Sequence, residues 1–259
     1  MSSLHHLLSP NERDPTAEGL CALAIMTKAP QAGRVKTRLT PLLTAEEAAA
    51  LNICFLRDTA AAIDAAGDGT RGIGCYTPLG AEDIYGEIFP ATFHLIAQRG
   101  KDMDERLVFA TQDLFAVGFS SVCLIGSDSP TVPATTFIEA VKILSAPKDC
   151  VVIGPSHDGG YYLIGLKAGH RRMFEGIHWS TDTVFAQTIV RAAELRLPVH
   201  LLPIAYDVDD RDTLRQLCLD LIPPHDSPLE IVAPATTKFL REFVRHKGGE
   251  RIWPDQIDV

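Results

Sequence analysis

The sequence predicts an α/β fold built on a mostly parallel sheet, and three observations carry that prediction. Short apolar runs of strand length alternate with stretches of helical periodicity from residue 20 to beyond residue 200. The loops richest in glycine, proline and charge come directly after the apolar runs, where open α/β sheets bind ligands. Two apolar runs, 150–153 and 161–164, stand too close together for a crossover helix, so one neighbour is antiparallel and the sheet is mixed.

The elements follow in order. Residues 20–26 form the opening strand, which Pro30 and Gly33 punctuate. Thr44 followed three residues later by Glu47 is a capping box, and the helix it starts carries Ala48, Leu51, Phe55, Ala62 and Ile63 near one face before stopping at Gly67. A strand at 72–76, a short helix at 82–88, a strand at 92–96 and a helix at 105–117 continue the alternation. The run Ser121-Val122-Cys123-Leu124-Ile125 reads as a fully buried strand, followed by a helix at 134–144 and the closely spaced pair of strands. A helix at 182–195, a strand at 199–202 and a helix at 210–219 complete the unit. Pro223, Pro224 and Pro228 then break the periodicity, and a last helix is expected over 236–246. The organisation read from this is a flexible N-terminal tail at 1–18, one domain at 19–220, and a helical C-terminal extension at 221–259.

Bulk properties narrow the function. At 259 residues the chain can bury a large core, and 46% hydrophobic with 22% charged residues is ordinary for a globular protein. A net charge of −9 argues against a nucleic-acid partner, whose phosphates need a basic surface. Six cysteines without a C-x-x-C pair, most of them in or beside apolar runs, read as core thiols in a reducing compartment. No apolar stretch is long enough for a membrane span and the start lacks a signal-peptide pattern, so a cytoplasmic location is expected.

Four loops carry residues suited to chemistry. The first holds Lys28, Arg34, Lys36 and Arg38 within eleven positions of an acidic chain, with Gly33 letting backbone amides approach a ligand. That cluster suits di- or triphosphate oxygens, although it has neither P-loop nor dinucleotide-fingerprint spacing, and a solvated basic loop is the plain alternative. Gln98-Arg99-Gly100-Lys101-Asp102 follows another strand; Gly100 would admit a flat ligand and Asp102 would accept from a base or ribose hydroxyl, while a simple turn fits equally. Gly126-Ser127-Asp128-Ser129-Pro130 sets Asp128 at the carboxyl end of the buried strand, where it would hold a divalent metal against a phosphorylated substrate or cap the next helix. In the loop 154–160, His157 and Asp158 offer an acid/base pair, of which Asp158 is the stronger candidate. Finally, Asp207 and Asp209 share a face if extended and would converge on the same cation as Asp128.

Together these motifs resemble the DUF2064 family, the GT-A-like "selenodomain-associated transferase 1" proteins. The likeness rests on Lys28-Ala29-Pro30 and Gly33-Arg34-Val35-Lys36-Thr37-Arg38-Leu39, then Gly126-Ser127-Asp128-Ser129-Pro130. It continues through Gly154-Pro155 with Asp158-Gly159-Gly160-Tyr161-Tyr162-Leu163-Ile164-Gly165, and Gly176-Ile177 with Trp179-Ser180-Thr181. The chain departs from the family pattern at Met103-Asp104, where a Leu-Gly pair is usual, and at His157. The resemblance implies a GT-A, or nucleotide-diphospho-sugar transferase, fold: a three-layer α/β/α arrangement around a mostly parallel mixed sheet. It also implies a nucleotide over the first loop and a metal, Mg2+ or Mn2+, on Asp128 and on the Asp207-Val208-Asp209 motif. Lys36-Thr37-Arg38-Leu39 is in addition similar to the phosphate-binding loop of phospholactate guanylyltransferases.

Two transferase functions are therefore expected of one site. In a metal-dependent glycosyltransferase the donor is a nucleotide sugar, Arg34, Lys36 and Arg38 add positive charge, and Asp158 deprotonates a small-molecule acceptor. In a guanylyl- or cytidylyltransferase-like nucleotidyltransferase the same loop grips a nucleoside triphosphate while a phosphorylated small molecule attacks the α-phosphorus. A non-catalytic nucleotide-binding relative is the third reading. Phe239, Leu240, Phe243 and Trp253 in the extension are candidate contacts for a homo-oligomer or for a helix capping the same subunit.

Overall fold

Strand and helix alternate in chain order as β1 (His6–Leu7), β2 (Cys21–Lys28), α1 (Ala45–Asp64), β3 (Thr70–Thr77), β4 (His94–Ala97), α2 (Met103–Val117) and β5 (Ser121–Ile125). They continue as α3 (Ala134–Ser145), β6 (Val151–Pro155), β7 (Tyr161–Leu166), α4 (Val184–Glu194), β8 (Val199–Leu201), α5 (Arg211–Leu221) and α6 (Pro234–Lys247). The structure, a computed structural model, describes residues 5–40, 42–222, 232–248 and 252. Its strands form one sheet in the order β1-β4-β3-β2-β5-β7-β6-β8. Only β7 runs against its neighbours β5 and β6, which is the mixed pairing that the short 154–160 connection requires.

Both faces of the sheet are covered, so its central strands read as unbroken apolar runs rather than alternating ones. Along β2, Leu23 and Ile25 enter a core shared with Leu56 and Ile63 of α1 and Phe137 and Leu144 of α3. Ala22 and Ala24 face the other way, toward Leu107, Leu114 and Val117 of α2 and Ala192 of α4. The result is the three-layer α/β/α arrangement. A third cluster packs the outer side of α1, through Leu51 and Phe55, against Leu214 and Leu217 of α5 and Leu240 and Phe243 of α6. The Thr44 capping box is formed on both sides, with Thr44 Oγ1 accepting from Glu47 N and Glu47 accepting from Thr44 N.

Two expectations change, and the last helix follows the second of its two readings, capping the same subunit. The stretch expected as a flexible tail is folded from His5 onward: β1 pairs in parallel with β4, Ala17 is buried, and Asp14 N donates to the Val117 carbonyl. A strand of two residues is too short to show a periodicity, so the sequence hides it. The helix expected near 82–88 is a 3-10 segment, Glu82–Glu87, that runs through Gly86. Leu240 and Phe243, candidates for contacts between copies, are buried within the chain against α1, and Phe239 is packed beside them. Trp253 and the stretch 223–228 lie outside the described residues. Among the described residues no helix is long and apolar enough to cross a membrane.

Candidate functional site: a basic loop facing an acidic pair

The carboxyl ends of β2 and β5 open into a cleft of about 620 Å³ lined by the cations Lys28, Arg34, Lys36 and Arg38 and by the acids Asp128, Asp158, Asp182 and Asp209. Lys36 controls its geometry. Its backbone is left-handed (φ 49°, ψ 35°), a conformation that costs a non-glycine residue about 1 kcal/mol or more. The bend turns the side chain inward until it is only 4% exposed, with Nζ 2.7 Å from Asp128 Oδ1 and 3.0 Å from Asp209 Oδ1. The ammonium also donates to the Val208 carbonyl at 2.7 Å and lies 5.5 Å from the centre of the Phe55 ring. Burial opposes the charge, but the two carboxylates more than offset it and hold the Lys36 pKa above that of an ordinary lysine. Ser180, which also lines the cleft, is a second non-glycine residue with positive φ, 61°.

Asp207 knits the acidic wall together. Its two carboxylate oxygens accept from Ser129 Oγ at 2.5 Å, in the loop after β5, and from Ser156 Oγ at 2.8 Å, in the loop after β6. Burial pushes its pKa up, the two serine hydroxyls pull partly against that, and the charges of Asp128 and Asp158 add to the rise. Val208 N donates to the Asp128 carbonyl at 2.9 Å, so three loops are held in one register. Asp158 Oδ1 accepts from Gly160 N at 2.9 Å, which closes a tight turn. Gly159 in that turn sits at φ +85°, and a Cβ there would lie 2.1 Å from the Asp182 carbonyl oxygen, so no side chain fits.

Beside the cleft, and sharing Asp128, Asp158, Ser180 and Thr181 with it, is a more apolar annex of about 290 Å³. Met26, Met103, Leu107, Tyr161 and Trp179 supply its walls. The Trp179 indole donates to Asp104, one of the residues at which the chain departs from the family pattern.

Not every expected site residue converges. Lys36, expected on phosphate, is instead paired with Asp128 and Asp209. Asp207, expected to join those two on a cation, has both oxygens taken by serines. Gly100 and Asp102 line neither chamber: Asp102 caps α2 by accepting from Glu105 N at 2.9 Å, and a Cβ on Gly100 would come within 2.8 Å of the Arg106 nitrogen. They form the turn into α2, the plainer of their two readings. Gly33 bends the basic loop at φ +72° but is not part of the wall. His157 is exposed and donates its backbone N–H to Ala205 without reaching the cleft. Conversely, Asn52, a buried polar residue on the inward side of α1, lines the cleft and was missed; its signal is an amide beside the apolar Leu51 and Phe55.

A mixed sheet with helices on both faces and a charged cleft at the strand ends defines the GT-A class of fold. The pattern of the family described as "uncharacterized protein conserved in bacteria" (DUF2064) matches residues 59–181. The crystal structure of a candidate nucleotide-diphospho-sugar transferase from Desulfovibrio desulfuricans G20 is 30% identical and superposes with a TM-score of 0.76, covering 93% of this chain and 100% of its own. The chain belongs to the DUF2064 family. A cytidylyltransferase from Leptospira borgpetersenii serovar Hardjo-bovis is 9% identical (TM-score 0.48), with 94% of this chain and 99% of that one covered. A mannosyltransferase from Pyrobaculum calidifontis, in complex with GDP-Man and Mn2+, is 13% identical (TM-score 0.45), with 92% and 79% covered. No curated protein matches the chain.

Proposed function

We propose that the protein is a GT-A-type glycosyltransferase that takes a nucleotide-diphospho-sugar donor and a divalent cation. The observation that carries this reading is the unused charge in the cleft. Among the described residues, Lys28, Arg34 and Arg38 have no ion-pair partner, although the chain as a whole carries a net charge of −9. Although Arg38 acts at longer range on Asp210, and Asp158 and Asp182 line the same cleft, three cations outside ion-pair distance of a carboxylate suit the oxygens of a diphosphate. The 30%-identical relative, named as a candidate nucleotide-diphospho-sugar transferase, supports the same choice.

Asp128 and Asp209 would hold a cation through Oδ2 of each, because the Lys36 ammonium takes Oδ1 of both. Two carboxylates plus substrate phosphates are a usual set for Mg2+ or Mn2+, and the ion would neutralise charge on the departing nucleoside diphosphate. The chain's own part is positioning. Arg34, Arg38 and Lys28 grip the diphosphate, and the fixed loops around Asp207 keep Asp128 and Asp209 in place. Asp158, exposed and lining both chambers, takes the proton of the acceptor hydroxyl as its oxygen bonds to the anomeric carbon and the bond from that carbon to the diphosphate breaks.

The density of basic residues favours a second reading, nucleotidyl transfer from a nucleoside triphosphate to a phosphorylated small molecule. Phosphorus NMR of the full chain incubated with Mg2+ or Mn2+ and panels of nucleotide sugars or nucleoside triphosphates, each with candidate acceptors, separates the two. Release of nucleoside diphosphate from a nucleotide sugar is expected. Pyrophosphate release from a triphosphate would move the assignment to nucleotidyl transfer, and turnover of neither panel would favour a binding protein.

A further inference from the structure

The sheet edge farthest from the acidic loops carries a second constellation. His6 and His94 are direct partners in the parallel β1/β4 pair, so their side chains leave the same face. Their rings meet edge-on, with centroids 4.9 Å apart. Asp14 closes the group, its Oδ2 lying 3.8 Å from His6 Nε2 and 4.0 Å from His94 Nδ1. The three ligand atoms all lie within 4.8 Å of one another.

The group is held in place from outside. Asp14 Oδ1 accepts from Thr16 N and Thr16 Oγ1, each at 2.8 Å, which leaves Oδ2 turned to the histidines. Asp14 N is anchored on the Val117 carbonyl at the end of α2. The neighbouring His5 points the other way, its ring against the carbonyls of Phe93 (3.0 Å) and Tyr85 (3.2 Å), and this fixes the strand that presents His6. His94 Nδ1 is buried and has no hydrogen-bond partner among the described residues. A buried ring nitrogen without a partner costs free energy and calls for a ligand.

We propose that His6, Asp14 and His94 bind one divalent transition metal of the zinc class. Two imidazoles and a carboxylate suit Zn2+, Co2+ or Ni2+, whereas Mg2+ and Ca2+ select oxygen-only sites. Around a tetrahedral ion with bonds of about 2.1 Å, ligand atoms stand roughly 3.4 Å apart, so the two Asp14 spacings close with shifts of about half an ångström and the histidine pair with at most about 1.4 Å. His6 is 60% exposed while the other two side chains are 15% exposed, which leaves the outer side open for a water as fourth ligand. The Asp14–Thr16 bonds supply the outer support that orients a ligating carboxylate. A metal here would tie β1, β4 and the end of α2 together. The site is separate from the cleft: β3 and β2 stand between β4 and β5, and His94 begins its strand whereas the cleft lies beyond the strands' carboxyl ends.

The test uses full-length protein stripped of metal by chelation and titrated with Co2+, followed by visible absorption and thermal unfolding. One equivalent is expected to produce ligand-field bands, to raise the unfolding temperature and to be displaced by Zn2+. His6→Ala, at an exposed position whose loss leaves the core intact, and Asp14→Asn should each weaken Co2+ binding at least 10-fold, while Asp128→Asn leaves the bands unchanged. Absence of bands in the unsubstituted protein would overturn the proposal, as would bands that survive His6→Ala or vanish with Asp128→Asn. Circular dichroism of each variant confirms that a lost signal is not lost fold.

Discussion

At the residue scale, Lys36 decides what the cleft is. Its ammonium keeps Asp128 and Asp209 together, so Lys36→Met leaves two facing carboxylates without their cation. The acids are 33% and 45% exposed, which moderates the penalty of a broken pair. A loss of about 1–3 kcal/mol in urea unfolding is expected. Arg34→Ala and Arg38→Ala, at exposed positions outside any ion pair, should leave stability within about 0.5 kcal/mol while weakening nucleotide binding. The sequence showed the basic loop and Asp128, because charge type and placement after apolar runs are local properties. It did not show that Lys36 reverses onto the acids, since a left-handed lysine has no local signature. The separation of Asp207 from Asp209 was equally hidden. Extended chain would put both on one face, but Ser129 and Ser156, remote in sequence, supply the donors that capture Asp207. Gly100 and Asp102 were ambiguous for a simpler reason: a turn into a capped helix and a ribose-binding turn use the same residues.

At the scale of elements, α6 is joined to α1 by one buried carboxylate. Asp58, 3% exposed, accepts from Ala235 N and Thr236 N, both at 2.8 Å, and so caps the first turn of α6 from a different helix. Asp58→Ala should cost about 1–3 kcal/mol, read as a lower urea midpoint, because it leaves two helix N–H groups without their acceptor. Burial raises the Asp58 pKa, and the hydrogen bonds from Thr236 and Ala235 only partly oppose that rise. The folded state therefore holds this proton at pH values where an unfolded aspartate, at roughly 3.9, has released it. Stability from this group is present in full below that value and declines as pH rises through the folded pKa. Asp58→Asn should remove that part of the slope of urea midpoint against pH, and an unchanged slope would count against the assignment. The main strands and helices were legible from periodicity, and the α1 capping box from two residues. β1 was not, because its two residues become a strand only by pairing with β4.

For the molecule as a whole, a net charge of −9 repels anions, and the basic loop at the cleft opposes that locally. Nucleotide binding should consequently weaken as ionic strength rises from about 0.05 to 0.5 M, as the Debye length falls. The GT-A architecture was readable because ordered motifs span most of the domain, whereas the His6–Asp14–His94 group depends on a sheet edge that only the folded chain assembles. The most direct test of the central claim is isothermal titration of the full chain with a panel of nucleoside diphosphates in the presence of Mn2+, beside the Arg34→Ala/Arg38→Ala double variant. The account predicts that at least one nucleoside diphosphate binds and that the double variant weakens it 10-fold or more with its fold unchanged; a panel that does not bind, or one that binds both proteins equally, would contradict it.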